Sequence, residues 1–283
     1  MSEGGDFRRI GIVGVGLIGG SIAFGVRRAF PGATIVGVDR DDVVTPARQL
    51  GALNAGGGDL SILDGADLII LAAPVGENLR ALDALPAVVS GQAIVTDTGS
   101  TKRATVAAAR RLPDRLQFVG GHPLAGAARG GIEASRPDLF ERRTWVLTPE
   151  LATPAPVVQR LSQFVRALGA LPFELDPDTH DHILAFTSHL PQLTASALMH
   201  VVGDAVGENG LRLSGGGLAD TTRVAASPAS IWTDICATNT DELLPALDRL
   251  IDVLKDTRRA LADGEPVSAL FESAQHWRSR LKN

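Results

Sequence analysis

The chain of 283 residues has no tyrosine, one cysteine (Cys236) and three lysines (Lys102, Lys255 and Lys282). Each scarcity removes a class of chemistry. Without tyrosine there is no Tyr-Lys dehydrogenase pair. A lone cysteine forms no internal disulfide and fits a cytoplasmic setting. It also excludes a multi-cysteine zinc site and disfavours cysteine-ligated catalytic zinc, so no metal is expected. Positive charge is short as well: the net charge is −5 and the isoelectric point about 5.7. No basic stripe offers itself to nucleic acid. An anionic ligand must therefore be held by local groups rather than by the global field. No apolar run reaches membrane-spanning length, and the N-terminal residues lack a signal-peptide core.

What is present is glycine, at 31 positions, and a regular alternation of patterns. Short apolar runs at Ile10–Val13, Thr34–Val38, Leu68–Ala72, Ala93–Val95 and Gln117–Val119 read as strands. Helical patterns fall between them, near Gly20–Arg28, Val43–Leu50, Glu77–Leu85 and Thr101–Arg111. Such alternation predicts βαβ units and a parallel sheet. Thr144–Leu147 supplies a candidate sixth strand, and the prolines of Thr148–Pro156 suggest a boundary. A helix near Val157–Leu168 and a short run at Pro172–Leu175 follow. Beyond them the patterns turn long and helical: Asp181–Val202, Pro228–Thr238, Asp241–Ala262 and Pro266–Leu281. Pro191 should kink the first of these or mark an irregularity. Gly215–Gly217 predicts a mobile or tightly turning loop. The expected fold class is α/β, a Rossmann dinucleotide-binding domain over residues 1–150 and an all-helical domain over 151–283.

Strand Ile10–Val13 runs into Gly14-Val-Gly16-Leu17-Ile18-Gly19 and a helix follows. In that context Gly14 permits the turn, Gly16 lets backbone approach a pyrophosphate, and Gly19 allows close helix–strand packing. Asp39 ends the next strand, 20 positions beyond Gly19, where an acidic side chain binds a ribose hydroxyl and repels a 2′-phosphate. The expected cofactor is NAD, although Arg40 is of a type that can accept such a phosphate. Leu17 and Ile18 join the cofactor set as members of the loop. Ala73 and Pro74 join it as small residues at a strand end, with a plain strand-ending proline as the alternative.

Ligands in such folds bind outside the carboxyl ends of the strands. Two segments lie there: Asp97-Thr-Gly-Ser100-Thr-Lys102 and Gly120-Gly-His122-Pro123-Leu-Ala-Gly126. His122 is the candidate general base, since its proton affinity suits transfer near neutrality and Pro123 fixes its backbone. Ser100 orients it or caps a helix. Lys102 reads as a first-turn surface residue.

These segments resemble the prephenate/arogenate dehydrogenase family of tyrosine biosynthesis. So do His180-Asp181, Ser188-His-Leu-Pro191, Gly215–Gly217 and Asp220-Thr-Thr-Arg223, with Trp232 downstream. The resemblance implies an NAD-dependent oxidative decarboxylation of prephenate, arogenate or both. It implies His122 as catalytic histidine, Ser100 as its assistant and Arg223 as the holder of a substrate carboxylate. His189 falls at a histidine near the site, with a buried helix histidine as the alternative. Gln192 stands where family members often carry histidine, and Ala127-Ala128 where many carry Thr-Glu. Both positions bear on the substrate's side chain. The resemblance further implies a homodimer, and a chain of 283 residues is expected to have no room for an appended ACT or chorismate mutase domain. Two rivals remain at this point: a β-hydroxyacid dehydrogenase or imine reductase, whose usual lysine has no good candidate here, and an NADH-sensing protein without chemistry.

Overall fold

A computed structural model describes residues 7–127 and 129–281; Ala128 and Lys282 lie outside the described residues. Eight strands form one sheet: β1 (Arg9–Val13), β2 (Thr34–Val38), β3 (Ala55–Gly57), β4 (Leu68–Leu71), β5 (Ala93–Asp97), β6 (Leu116–Pro123), β7 (Thr144–Thr148) and β8 (Leu171–Glu174). Their order is β3-β2-β1-β4-β5-β6-β7-β8. The first six pair in parallel, β7 runs antiparallel to β6, and β8 is parallel to β7. The reversal from β1 outward to β2 on one side and β4 on the other creates the crevice in which such sheets bind ligands.

The helices of the same half are α1 (Leu17–Ala29), α2 (Asp41–Gln49), α3 (Val75–Val88), α4 (Arg103–Ala109) and α5 (Ala155–Ala167). Side chains alternate across the strands, as a period of two requires. Ile10, Ile12, Leu68 and Ile70 pack with Ile22 and Val26 of α1 and with Phe164 of α5. Val13, Ile69 and Leu71 face the opposite layer, with Leu82 and Leu85 of α3. Parallel strands covered on both faces read as near-continuous apolar runs, which is why these were legible. The proline-rich stretch near residue 150 does not end the sheet. It leads into α5 and then β8, so the sheet runs on to Glu174, beyond the boundary expected at residue 150.

The helical region begins with α6 (Pro177–Leu184), then a π-helical turn at Ala185–His189 and α7 (Leu190–Leu211). Pro191 sits in the first turn of α7, where its missing N–H costs little. The expected irregularity is therefore the wide turn just before the proline, a feature frequent at functional sites. The predicted glycine loop is instead the start of α8 (Gly216–Thr222), with extended Gly215 at its N-cap. None of the three glycines has a positive φ, so nothing there demands a tight turn. After a short 3₁₀ turn at Arg223–Ala226 comes α9 (Ala229–Thr238).

Two compact units emerge, residues 1–239 and 240–283. The second consists of α10 (Thr240–Asp263) and α11 (Ser268–Arg278). Leu244, Leu254 and Leu261 of α10 and Phe271 and Trp277 of α11 are exposed. Among the described residues, no helix is long and apolar enough to cross a membrane.

Candidate active site

Gly14 follows β1 at φ +85°, and a β-carbon there would come within 2.5 Å of the Ala73 backbone nitrogen. A β-carbon on Gly19 would lie 1.9 Å from the Gly14 carbonyl oxygen. Glycine is therefore required at both, the first for its backbone conformation and the second for close approach. Gly16 has nothing within 4 Å of its β-position, which leaves its backbone open to a ligand. It is the N-cap of α1, and neither a side-chain cap nor an acidic residue satisfies the first turn. The amides around Leu17 and Ile18 thus form an uncapped positive end, suited to a pyrophosphate. The side chains of Leu17 and Ile18 themselves pack on the core.

A cleft of about 980 Å³ adjoins this loop, lined by Gly14, Gly16, Asp39, Arg40, Ala73 and Pro74 among others. The Asp39 carboxylate accepts the amides of Val15 at 2.8 Å and Arg40 at 2.8 Å. It is fixed by these two bonds and still able to accept from ribose hydroxyls. The Arg40 guanidinium turns to Asp42, with bonds of 3.0 and 3.2 Å. The other arginine of the cleft, Arg80, pairs with Glu77. Both guanidiniums face carboxylates, and Asp39, Asp42, Glu77 and Glu133 line the same cleft, a negative surround that disfavours a 2′-phosphate. The residues present therefore fit NAD.

At the carboxyl ends of β5 and β6 a second cluster forms. Lys102, expected at the surface, is fully buried. Its ammonium donates to Asp97 and, at 2.7 Å, to the Gly121 carbonyl. Asp97 in turn accepts the amides of Gly99 at 2.9 Å and Gly121 at 3.0 Å. Burial pulls the Lys102 ammonium below its ordinary proton affinity, against the charge and hydrogen bond of Asp97. The pair ties the loop after β5 to the backbone just before His122. The sequence places Lys102 in a first helical turn but carries no sign of the strand that covers it.

His122 is buried, and its Nδ1 lies 2.9 Å from His180 Nε2. His180 Nδ1 lies 2.7 Å from Asp181 Oδ1. Burial, with His180, Lys102 and His189 adding to it, holds His122 well below the ordinary histidine value. The ring is a neutral base at neutral pH. Asp181 also caps α4 from a distant part of the chain, accepting Lys102 N at 2.7 Å and Arg103 N at 3.0 Å. Burial works to raise the Asp181 carboxyl. The bonds from His180 and the two amides overcome it and leave the group below its ordinary value. His180 and Asp181 were visible only as part of the family resemblance, with no role attached to either. The spacing that joins them to His122 is tertiary.

His189, in the π-helical turn, is fully buried. Asn239 fixes its tautomer. The Asn239 carbonyl accepts Arg103 at 2.8 Å, so its amide nitrogen faces the Asp181 carbonyl at 2.9 Å and His189 Nδ1 at 3.2 Å. His189 Nδ1 accepts and Nε2 carries the proton. That Nε2–H is buried without a hydrogen-bond partner, a costly state for a donor that meets nothing. Burial lowers the His189 value to about 4, against the opposing charge of Asp181. Trp232 packs edge-on against the ring at 6.0 Å. Gln192 is buried on α7, donating to Ser196 Oγ at 3.3 Å.

Ser100 is half-buried and makes no hydrogen bond among the described residues. It is not a helix cap, because α4 begins later, at Arg103, with no side-chain cap of its own. Arg223 opens the 3₁₀ turn beside α7, exposed and without an ion pair among the described residues. The structure thus joins His122 and His189 through Asp181 and Asn239. Among the described residues, no hydrogen bond or ion pair links Ser100 or Arg223 to that network.

Comparison with known proteins decides the family. Residues 22–172 match the family model described as prephenate dehydrogenase, nucleotide-binding domain, and residues 176–274 match its dimerization domain. Prephenate dehydrogenase of Bacillus subtilis is 34% identical over 95% of this chain and 75% of its own length. This chain belongs to the prephenate dehydrogenase family. Cyclohexadienyl dehydrogenase of Zymomonas mobilis is 33% identical, with 98% of this chain and 97% of that protein covered. Among solved structures, prephenate dehydrogenase of A. aeolicus in complex with hydroxyphenyl propionate and NAD+ superposes with a TM-score of 0.90. It is 27% identical and covers 98% of this chain and 99% of its own. The family's first model starts at residue 22, after the glycine loop, so the loop's assignment rests on the geometry above.

Proposed function

We propose that this protein is an NAD-dependent dehydrogenase that oxidatively decarboxylates prephenate, arogenate or both. The observation that carries the reading is a buried histidine, His122, held by His180 at the carboxyl end of β6, in the sheet whose β1 end bears the dinucleotide cleft. Its relatives are named for the same chemistry.

Bound NAD supplies the hydride acceptor. His122 takes the proton of the ring C4 hydroxyl as hydride leaves C4. The bond from ring C1 to its carboxylate breaks, carbon dioxide departs, and its electron pair completes the aromatic ring. Aromatisation drives the step, so the protein's task is positioning, one base and charge complementarity. Ser100, whose hydroxyl makes no hydrogen bond among the described residues, assists at the reacting oxygen. Arg223, exposed and without an ion pair among the described residues, grips a substrate carboxylate. His189 offers its Nε2–H, unpartnered among the described residues, to a substrate oxygen, and Gln192, three residues on in α7, lies near the substrate's side chain. Gly14, Gly16, Leu17, Ile18, Gly19, Asp39, Arg40, Ala73 and Pro74 form the cofactor site.

The helical region from α6 onward carries substrate binding and dimerisation in this reading. The description of the matched second model supports a homodimer. So do the exposed apolar side chains of α10 and α11, since contiguous apolar surface marks association. A cytoplasmic setting agrees with a single cysteine.

The test is NADH formation by purified protein with NAD and either prephenate or arogenate. Turnover of either establishes the reaction class, and the ratio of kcat/KM gives the side-chain preference. Absence of turnover with both, in protein shown to bind NAD, overturns the reading.

A further inference from the structure

We propose that His180 and Asp181 set the protonation state of His122, acting as positioning residues that leave the base's outer nitrogen free to receive the substrate proton. The inference rests on His122 being the base. It adds which of its two nitrogens does the work, and why.

Donor and acceptor capacities fix the direction of each bond. Asp181 is an acceptor only, and its oxygens already receive the α4 amides and the Arg103 side chain, the latter at 3.3 Å. The His180 nitrogen 2.7 Å from Asp181 must therefore carry a proton. With one proton on each ring, His180 Nε2 is then an acceptor. His122 Nδ1, 2.9 Å away, must donate to it. His122 Nε2 is left with a lone pair, which is the property a base requires. Reversing any one bond places a proton on His122 Nε2 and removes its basicity at that atom.

Two further observations support the chain of bonds. His180 and Asp181 are fully buried, so water offers neither an alternative partner. Asp181 is locked at both oxygens by α4 and by Arg103, whose own guanidinium is held by Asn239. The anchor of the relay is thus built into the packing of α6 on α4. When His122 gains the substrate proton, its new charge faces His180 and then the Asp181 carboxylate. That carboxylate stabilises the charge without itself being protonated, the arrangement also used in serine protease triads.

The experiment is a long-range ¹H–¹⁵N spectrum of histidine-labelled protein, with the six rings assigned through His122→Asn and His180→Gln. The expected result is that His122 and His180 both carry their proton on Nδ1. A His122 ring protonated on Nε2 overturns the proposal, whatever the variants do. Kinetics give an independent readout. His180→Phe, which cannot accept a hydrogen bond, should lower kcat at least about tenfold at unchanged NAD affinity. His180→Gln, whose side-chain oxygen can accept from His122, should recover part of that loss. Equal kcat in wild type and a folded His180→Phe protein also refutes it. Full activity of His122→Asn would instead defeat the assignment of the base, a separate outcome.

Discussion

Replacing Lys102 by methionine isolates the ion pair that ties β5 to β6. Methionine keeps the length and most of the volume of the stem, so little of the effect comes from a cavity. What disappears is the ammonium between Asp97 and the Gly121 carbonyl. The Asp97 carboxylate remains fully buried, with only the amides of Gly99 and Gly121 to face it. Removing one member of a buried pair costs about 3–5 kcal/mol, because the other charge stays desolvated. At about 2–3 °C per kcal/mol for a domain of this size, Tm should fall by roughly 6–15 °C. Thermal denaturation followed by circular dichroism, with and without NAD, reads the shift. Adding Asp97→Leu to the same protein should recover part of the loss, since no unpaired charge is then left inside. A Lys102→Met shift equivalent to less than about 1 kcal/mol, the range of an exposed pair, would refute the reasoning.

Gly19→Ala should abolish ordered NAD binding or lower stability by several kcal/mol, since its β-carbon would sit on the Gly14 carbonyl; calorimetric titration with NAD measures the first and thermal melting the second. Stability should fall as pH drops below about 6.5, where unfolded chains protonate His122 and His189 while the folded protein holds both low. The unfolded state binds more protons in that window, so the slope is about 1.4 kcal/mol per pH unit for each histidine, ending for His189 near its value of about 4. Denaturant midpoints from pH 7 to 4 that stay flat would contradict the burial of these rings. Arg223→Ala should raise KM for the cyclohexadienyl substrate with little change in NAD affinity; an unmoved KM would leave Arg223 outside the substrate site.

The sheet was legible because its strands are buried on both faces and its glycines follow β1 at fixed spacing. β3 escaped because Ala55-Gly-Gly57 carries no apolar pattern, and pairs with β2 only through its backbone. The limit of the sheet was misplaced at the prolines near residue 150, since proline also opens helices, as Pro154 and Pro156 do at α5. In the site, His122 was accessible from its place after an apolar run and before Pro123. Lys102 was not, because whether a first-turn lysine is solvated or buried depends on β6 and on Asp97, which it meets only in the fold. Likewise the cap of α4 comes from Asp181, 79 residues beyond Lys102, so no local capping signal announces it. Asn239, which orients His189, sits at the end of α9, where its chain position looks like an ordinary helix terminus.

The central claim is that His122 is the base. The most direct measurement is kcat of His122→Asn in NADH formation from prephenate or arogenate, in protein whose NAD affinity and Tm match wild type. Asparagine keeps a polar side chain in place but cannot take the hydroxyl proton. The account predicts a fall in kcat of about 100-fold or more. A kcat within a few-fold of wild type would contradict it and return His122 to a structural role.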